Sequence, residues 1–135
     1  MAKRVHIALV TGGRHYPRFE AEKEWAFLAM CQDAQRFTHL YHGGATGVDA
    51  EAAYWADQHG LSTLHFTPDW FTYGRAAGPI RNETMVKTAL LYDPDTMLVV
   101  FPGGKGTAHM VRCAQRFGVP MCHYSVWIQE GEAHA

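Results

Sequence analysis

Three short segments of the 135-residue chain concentrate glycine: "TGGR" at 11–14, "HGGATG" at 42–47 and "PGGKGT" at 102–107. Each follows an apolar run of strand character and precedes a segment with helical spacing, so each reads as a strand-to-helix turn. Without a Cβ, glycine adopts positive φ and lets backbone N–H groups approach an anion, while the following helix adds a partial positive charge. Binding of a phosphate by Gly103, Gly104, Gly106 and Thr107, after Pro102, fits this pattern. Gly12, Gly13, Gly43, Gly44 and Gly47 stand on the neighbouring turns. A single βα turn often needs glycine only to turn, but three at corresponding strand ends favour a ligand site.

Other residues fit an anionic, aromatic ligand. Arg14, Arg75 and Arg81 supply planar, permanently charged donors suited to phosphate, and Trp70 and Tyr73 supply faces for a base. The competing reading packs Trp70 and Phe71 beneath a loop and leaves Arg75 solvated. Arg81 falls in the first turn of the helix expected over 80–91, where a cation opposes the macrodipole unless an anion is near. Asp49 has two readings of equal weight: a capping partner for Thr46, or an acceptor for a ribose hydroxyl.

The nine histidines have no HxxxH or HExxH spacing, and His39 and His42 fall on opposite faces of a strand, so no metal site is expected. GxSxG, GxGxxG and GxxxxGK[ST] are all missing. Serine hydrolases with a nucleophile elbow, ordinary dinucleotide dehydrogenases and P-loop phosphotransferases are therefore poor candidates.

The elements that must position these residues alternate between short β-rich and longer amphipathic runs. Strands are expected over 5–10, 38–42, 61–66, 96–101 and 119–126. Helices are expected over 20–37, 48–59, 80–91 and 106–118, with 68–79 irregular. Such alternation implies right-handed crossovers and an α/β, Rossmann-like, doubly wound parallel sheet of about five strands with helices on both faces. With 47% hydrophobic residues and no linker, repeat or low-complexity tract, 1–135 reads as one domain whose tail, 129–135, frays.

Twelve basic residues against 13 acidic give a net charge of -1, so any anion must be met by a local site rather than by a global field. Cys31, Cys113 and Cys122 are odd in number and lack CxxC spacing, which fits reduced thiols in or near the core of a cytoplasmic protein. The N-terminus reads as a first strand rather than a signal peptide, and no segment approaches the roughly 20 apolar residues that span a bilayer. Trp25, Phe27 and Met30 give the first helix more apolar bulk than one buried stripe requires, so a homo-oligomer, dimer or higher, is expected.

Taken in order, "VTGGR", "HGGATGVDAEAAYWA", "DWFTYGRAAGPIRNETM" and "VVFPGGKGTAHMVRCAQRFGVP" resemble the SLOG superfamily, specifically its small YspA-related members, over nearly the whole chain. This superfamily includes the Lonely Guy phosphoribohydrolases and the DNA-processing protein DprA. The resemblance implies a Rossmann-like sheet whose glycine loops bind a nucleotide or nucleotide-derived ligand, as a sensor or a nucleotide-processing accessory, with no cofactor required. Lonely Guy enzymes carry RKxxM and PGGxGTxxE, whose arginine and glutamate cleave the N-glycosidic bond of a nucleoside monophosphate. Here Arg81 and Met85 are kept, Asn82 replaces the lysine, and Met110 stands in place of the glutamate. The alternative is a phosphoribohydrolase of this kind, with Arg81 and one of Glu83, Asp49 or His109 carrying the chemistry. DNA binding in the manner of DprA is disfavoured by the near-neutral charge and small size.

Overall fold

Short apolar runs, too brief for helices and bounded by turn residues, form five strands: β1 (Ile7–Thr11), β2 (His39–His42), β3 (Ser62–His65), β4 (Met97–Val100) and β5 (Met121–His123). The computed structural model describes residues 4–13, 21–44 and 47–124. Arg14, Thr46 and the tail 129–135 lie outside them. All neighbouring strands pair in parallel, in the order β3-β2-β1-β4-β5. Parallel neighbours require crossovers, supplied by the helices α1 (Ala21–Gln35), α2 (Val48–Gln58), α4 (Ala77–Tyr92) and α5 (Lys105–Arg116), with a short α3 (Trp70–Tyr73) before α4.

The two-residue period of the strands divides the core. Ala8, Val10, Leu40 and Val99 face Phe27, Leu28 and Trp55 of α1 and α2. Ile7, Leu9, Leu98 and Val100 face Met85, Val86 and Met110 of α4 and α5. Apolar side chains on both faces of β1 and β4 explain why these strands are central and read as continuous hydrophobic runs. The fold is an α/β, Rossmann-like doubly wound sheet. The chain runs outward from β1 to β2 and β3, then returns to place β4 on the other side of β1. Strand order therefore reverses between β1 and β4, and the crevice at their carboxyl ends is where such sheets receive ligands.

The structure corrects one segment. Residues 68–79, expected to be irregular, are largely helical: the Asp69 carboxylate accepts the Thr72 N–H at 3.0 Å and caps α3, a 3-10 turn spans Gly74–Ala76, and α4 begins at Ala77. Pro79 is tolerated because its missing N–H falls in the first turn of α4, where it would have no intrahelical acceptor. Arg81 consequently sits past that first turn, and the opposition to the macrodipole expected of it does not arise. The other elements keep their expected order and type; most ends are shorter, but β1 runs one residue further, to Thr11, and α5 starts one residue earlier, at Lys105.

The bulk of α1 is largely absorbed by its own fold. Phe27 packs edge-on against Phe101 and tilted against Tyr124, Trp25 stacks on Tyr54 at 5.6 Å, and only Met30, at 47%, is substantially exposed among the three. Cys31 and Cys113 are buried and Cys122 partly so, all as free thiols. The Cys31 and Cys122 sulfurs lie 3.6 Å apart, and burial followed by the neighbouring thiol pushes Cys31 up to about 12. Among the described residues no helix is long and apolar enough to cross a membrane, and no group of three or more His, Cys, Asp or Glu is arranged to hold a metal ion.

Candidate functional site

The turn after β4 is tied to the turn after β1. Phe101 N–H donates to Thr11 O and Gly13 N–H to Pro102 O, both at 2.9 Å. Gly103 must be glycine for this approach, because a Cβ there would lie 2.8 Å from the Gly13 nitrogen and collide with the Thr107 side chain. Gly104 then begins α5 with no side-chain cap, leaving the amides of Lys105, Gly106 and Thr107 without intrahelical acceptors. A Cβ on Gly104 or Gly106 would meet no protein atom within 4 Å.

These unpaired amides line a cavity of about 860 Å³ at the β1/β4 switch point. Sequence-predicted residues Gly12, Gly13, Asp49, Trp70, Arg75 and Arg81 lie in its walls, as do Asn82, Pro102, Gly103, Gly104, Gly106, Thr107 and His109. Gly43, Gly44 and Gly47 do not. The Arg81 guanidinium covers the place where a Gly43 Cβ would stand, and the His65 ring covers that of Gly44, whose φ is +73°. Gly47 caps α2 with φ 79°. Tyr73 lines a smaller neighbouring pocket of about 260 Å³ with Phe66 and Ile80.

The β2 turn is closed by its own partners. Gly43 N–H donates to Asp49 Oδ2 at 3.0 Å, and Gly44 N–H donates to His42 Nδ1 at 3.1 Å. Asp49 therefore uses a carboxylate oxygen to hold the turn of β2, which neither of its two sequence readings anticipated. His42 is stacked on His65, centroids 5.2 Å apart, and burial first, then His65, lowers its pKa.

One hydrogen-bond chain joins this turn to α5. Arg81 donates from Nη1 to Gly43 O (2.9 Å) and Phe66 O (3.4 Å), and from Nε to Asn82 Oδ1 (2.9 Å). A guanidinium only donates, so the Asn82 oxygen must face it and the amide nitrogen must face away. That nitrogen donates to Gly106 O (3.3 Å) and His109 Nδ1 (3.2 Å), which puts the neutral imidazole proton on Nε2. Burial first, then Arg112 and Arg116, lowers the His109 pKa and keeps the ring neutral at pH 7. Arg81, expected as a phosphate fork, is thus also a strut between β2 and α4. Asn82 is the joint that fixes the α5 turn.

Glu83, a candidate for the hydrolytic chemistry, and Met110, which replaces the hydrolytic glutamate, stand elsewhere. Glu83 is outside the cavity walls and binds Lys87 Nζ and Arg116 Nη2, each at 2.9 Å, which hold its carboxyl below the ordinary range. Met110 is 0% exposed within the core beneath the sheet. The sequence reading missed Lys105 and Arg112 in the cavity walls, together with Thr11, Gly78 and Pro79. The signal was present: Lys105, His109 and Arg112 recur at i, i+4 and i+7, one face of a helix. Trp70 is 51% exposed and lies over Gly78, where a Cβ would be 3.5 Å from the indole.

Comparisons with known proteins agree with this architecture. The X-ray structure of TM1055 superposes with a TM-score of 0.65 over 87% of this chain and 72% of its own, at 17% identity, a likeness of fold alone. The Gene 61 protein of Mycobacterium phage D29 is 29% identical over 126 residues, covering 86% of this chain and 94% of that protein. Residues 6–73, from β1 through α3, match the model of the YspA, cpYpsA-related SLOG family. The parallel sheet, the glycine turns at its carboxyl edge and this match together show that the chain belongs to the YspA, cpYpsA-related SLOG family.

Proposed function

We propose that the chain binds a nucleotide or nucleotide-derived ligand in the cavity at the β1/β4 switch point, as a sensor or nucleotide-processing accessory. The observation that carries this reading is the β4–α5 turn. Its first-turn amides have no intrahelical acceptor, and among the described residues a Cβ on Gly104 or Gly106 would meet no neighbouring atom within 4 Å. A phosphate there meets N–H donors and the positive end of a 12-residue helix. Trp70, half exposed, lines the same cavity with an indole face suited to a base, and Arg75 lines it too.

Binding is favoured over N-glycosidic hydrolysis by the fate of the carboxylates. Asp49 holds the β2 turn, Glu83 is ion-paired outside the cavity, and the position of the hydrolytic glutamate is filled by a core methionine. His109 is neutral, with its Nδ1 lone pair taken by Asn82 and its proton on Nε2, which leaves it no free basic nitrogen to activate water and no charge to protonate a leaving base.

A thermal-shift screen against nucleoside monophosphates, NAD, ADP-ribose and cyclic nucleotides tests the reading. A bound nucleotide at 100 times its Kd adds about 2.7 kcal/mol of stability, and the same mixtures should contain no free base by chromatography. Stabilisation by none of these compounds would remove the nucleotide reading, and steady release of base would replace it with the hydrolase.

A further inference from the structure

The cavity walls carry four permanent cations, Arg75, Arg81, Lys105 and Arg112, against one carboxylate, Asp49. In a chain of net charge -1 this is a local concentration. Three described cations outside the cavity are ion-paired: Arg4 with Asp95, and Lys87 and Arg116 with Glu83. Arg75, Lys105 and Arg112 pair with no carboxylate among the described residues. The contrast is sharpest on α5 itself, where Arg116, four residues beyond Arg112, is held by Glu83 at 2.9 Å.

From this distribution, and resting on the nucleotide reading above, we infer that the ligand carries a second phosphate, and that Arg112 forms the far end of an anion subsite that begins at Lys105 in the glycine turn and runs along α5. The two residues are seven apart, so they stand about 10 Å apart along the helix axis. Lys105 stands at the amide cradle, and Arg112 lies two turns further along the same cavity wall. One phosphate at the cradle leaves Arg112 without a partner, whereas a nucleoside diphosphate or a nucleotide with two separate phosphates supplies the second anion. His109, between them, stays neutral beside these cations and offers Nε2–H as an added donor. Arg81 contributes charge, but its hydrogen bonds to Gly43 O and Phe66 O already commit much of its fork.

The test compares affinities of ADP, GDP and UDP with those of AMP, GMP and UMP, and of inorganic pyrophosphate with inorganic phosphate, by calorimetry. The wild type should prefer each diphosphate by about tenfold or more, as expected for one further charge-assisted contact. The double variant Lys105→Gln/Arg112→Gln should bring that ratio close to one, and Arg116→Gln, outside the cavity, should leave it at the wild-type value. Equal affinity for mono- and diphosphates, or a ratio that survives the double variant, overturns the second subsite and leaves nucleotide binding standing. Preference for pyrophosphate over phosphate without binding of any nucleotide keeps the subsite and overturns the nucleotide reading. No binding of any of these probes overturns both.

Discussion

A Cβ added at Gly43 or Gly44 would run into Arg81 or His65, whereas one added at Gly104 or Gly106 would meet no protein atom within 4 Å. The two turns look alike in sequence, "HGGATG" after β2 and "PGGKGT" after β4, yet their glycines answer different demands. The β2 turn is filled by its own fold: Asp49 takes one amide, His42 takes the next, and a guanidinium covers Gly43. In the β4 turn only Gly103 is required by a neighbour. Gly104 and Gly106 border open space, with amides that no helix carbonyl receives. Glycine that no protein atom requires marks room left for something else.

The largest effect should come from filling the closed turn. Gly44→Val places a β-branched residue at φ +73° and against the His65 ring. Left-handed backbone and overpacking together should cost about 3 kcal/mol or more, read as a fall in the urea midpoint. A variant as stable as wild type would mean that the turn relaxes freely and that the contrast between the turns is empty.

Next in size is Arg81, the strut that links the closed turn to the open one. Arg81→Ala orphans the Gly43 and Phe66 carbonyls and frees Asn82 from its fixed orientation, so it should lose about 2–3 kcal/mol of stability. Arg81→Lys keeps the charge without the fork and should recover only part of the loss. If both variants kept wild-type stability and lost only phosphate affinity, Arg81 would be a ligand residue and not a strut.

These two turns also show how far the sequence could be read. The doubly wound sheet was legible because β1 and β4 are apolar on both faces and the four longer helices have lengths that suit a crossover. Most of the cavity walls were legible because strand ends in a parallel sheet share one edge. Partners distant in sequence were not legible: nothing local says that Arg81 lies on Gly43, 38 residues earlier, or that Asp49 reaches back to the Gly43 amide. The glycines of the β2 turn therefore looked like ligand residues. Residues 68–79 looked irregular because their glycines and proline outweighed one short signal, the Asp69 cap. Lys105 and Arg112 were overlooked because an arginine or lysine on a helix face is most often simply solvated.

A smaller effect, of opposite sign, belongs to the side of the sheet covered by α1 and α2. Glu24 on α1 is 1% exposed, its Oε1 has no hydrogen-bond partner among the described residues, and burial followed by the charge of Glu51 on α2 raises its pKa to about 7. An unfolded glutamate ionises near 4.5, so between that value and 7 the folded state holds the extra proton. Stability must therefore fall as pH rises through this window. Glu24→Gln removes the penalty and should gain about 2 kcal/mol at pH 8, with the gain shrinking toward zero at pH 4. A gain independent of pH would point to packing rather than charge.

The smallest change in stability, and the most informative, is expected at Gly104. Its φ of -95° is not left-handed and its Cβ direction is empty, so Gly104→Val should cost much less than Gly44→Val, about 1 kcal/mol or less. The same side chain projects beside the first-turn amides of α5, where it blocks the approach of a phosphate. Nucleotide affinity should then drop at least about tenfold, or 1.4 kcal/mol, while the urea midpoint falls far less than in Gly44→Val. Gly44→Val fails in the opposite manner, through folding first, so the pair separates a glycine kept for the protein from one kept for a ligand. Normal nucleotide affinity in a folded Gly104→Val protein would move the phosphate away from this turn. A large loss of stability there would reveal a protein contact beyond Gly104 and return both turns to the same explanation.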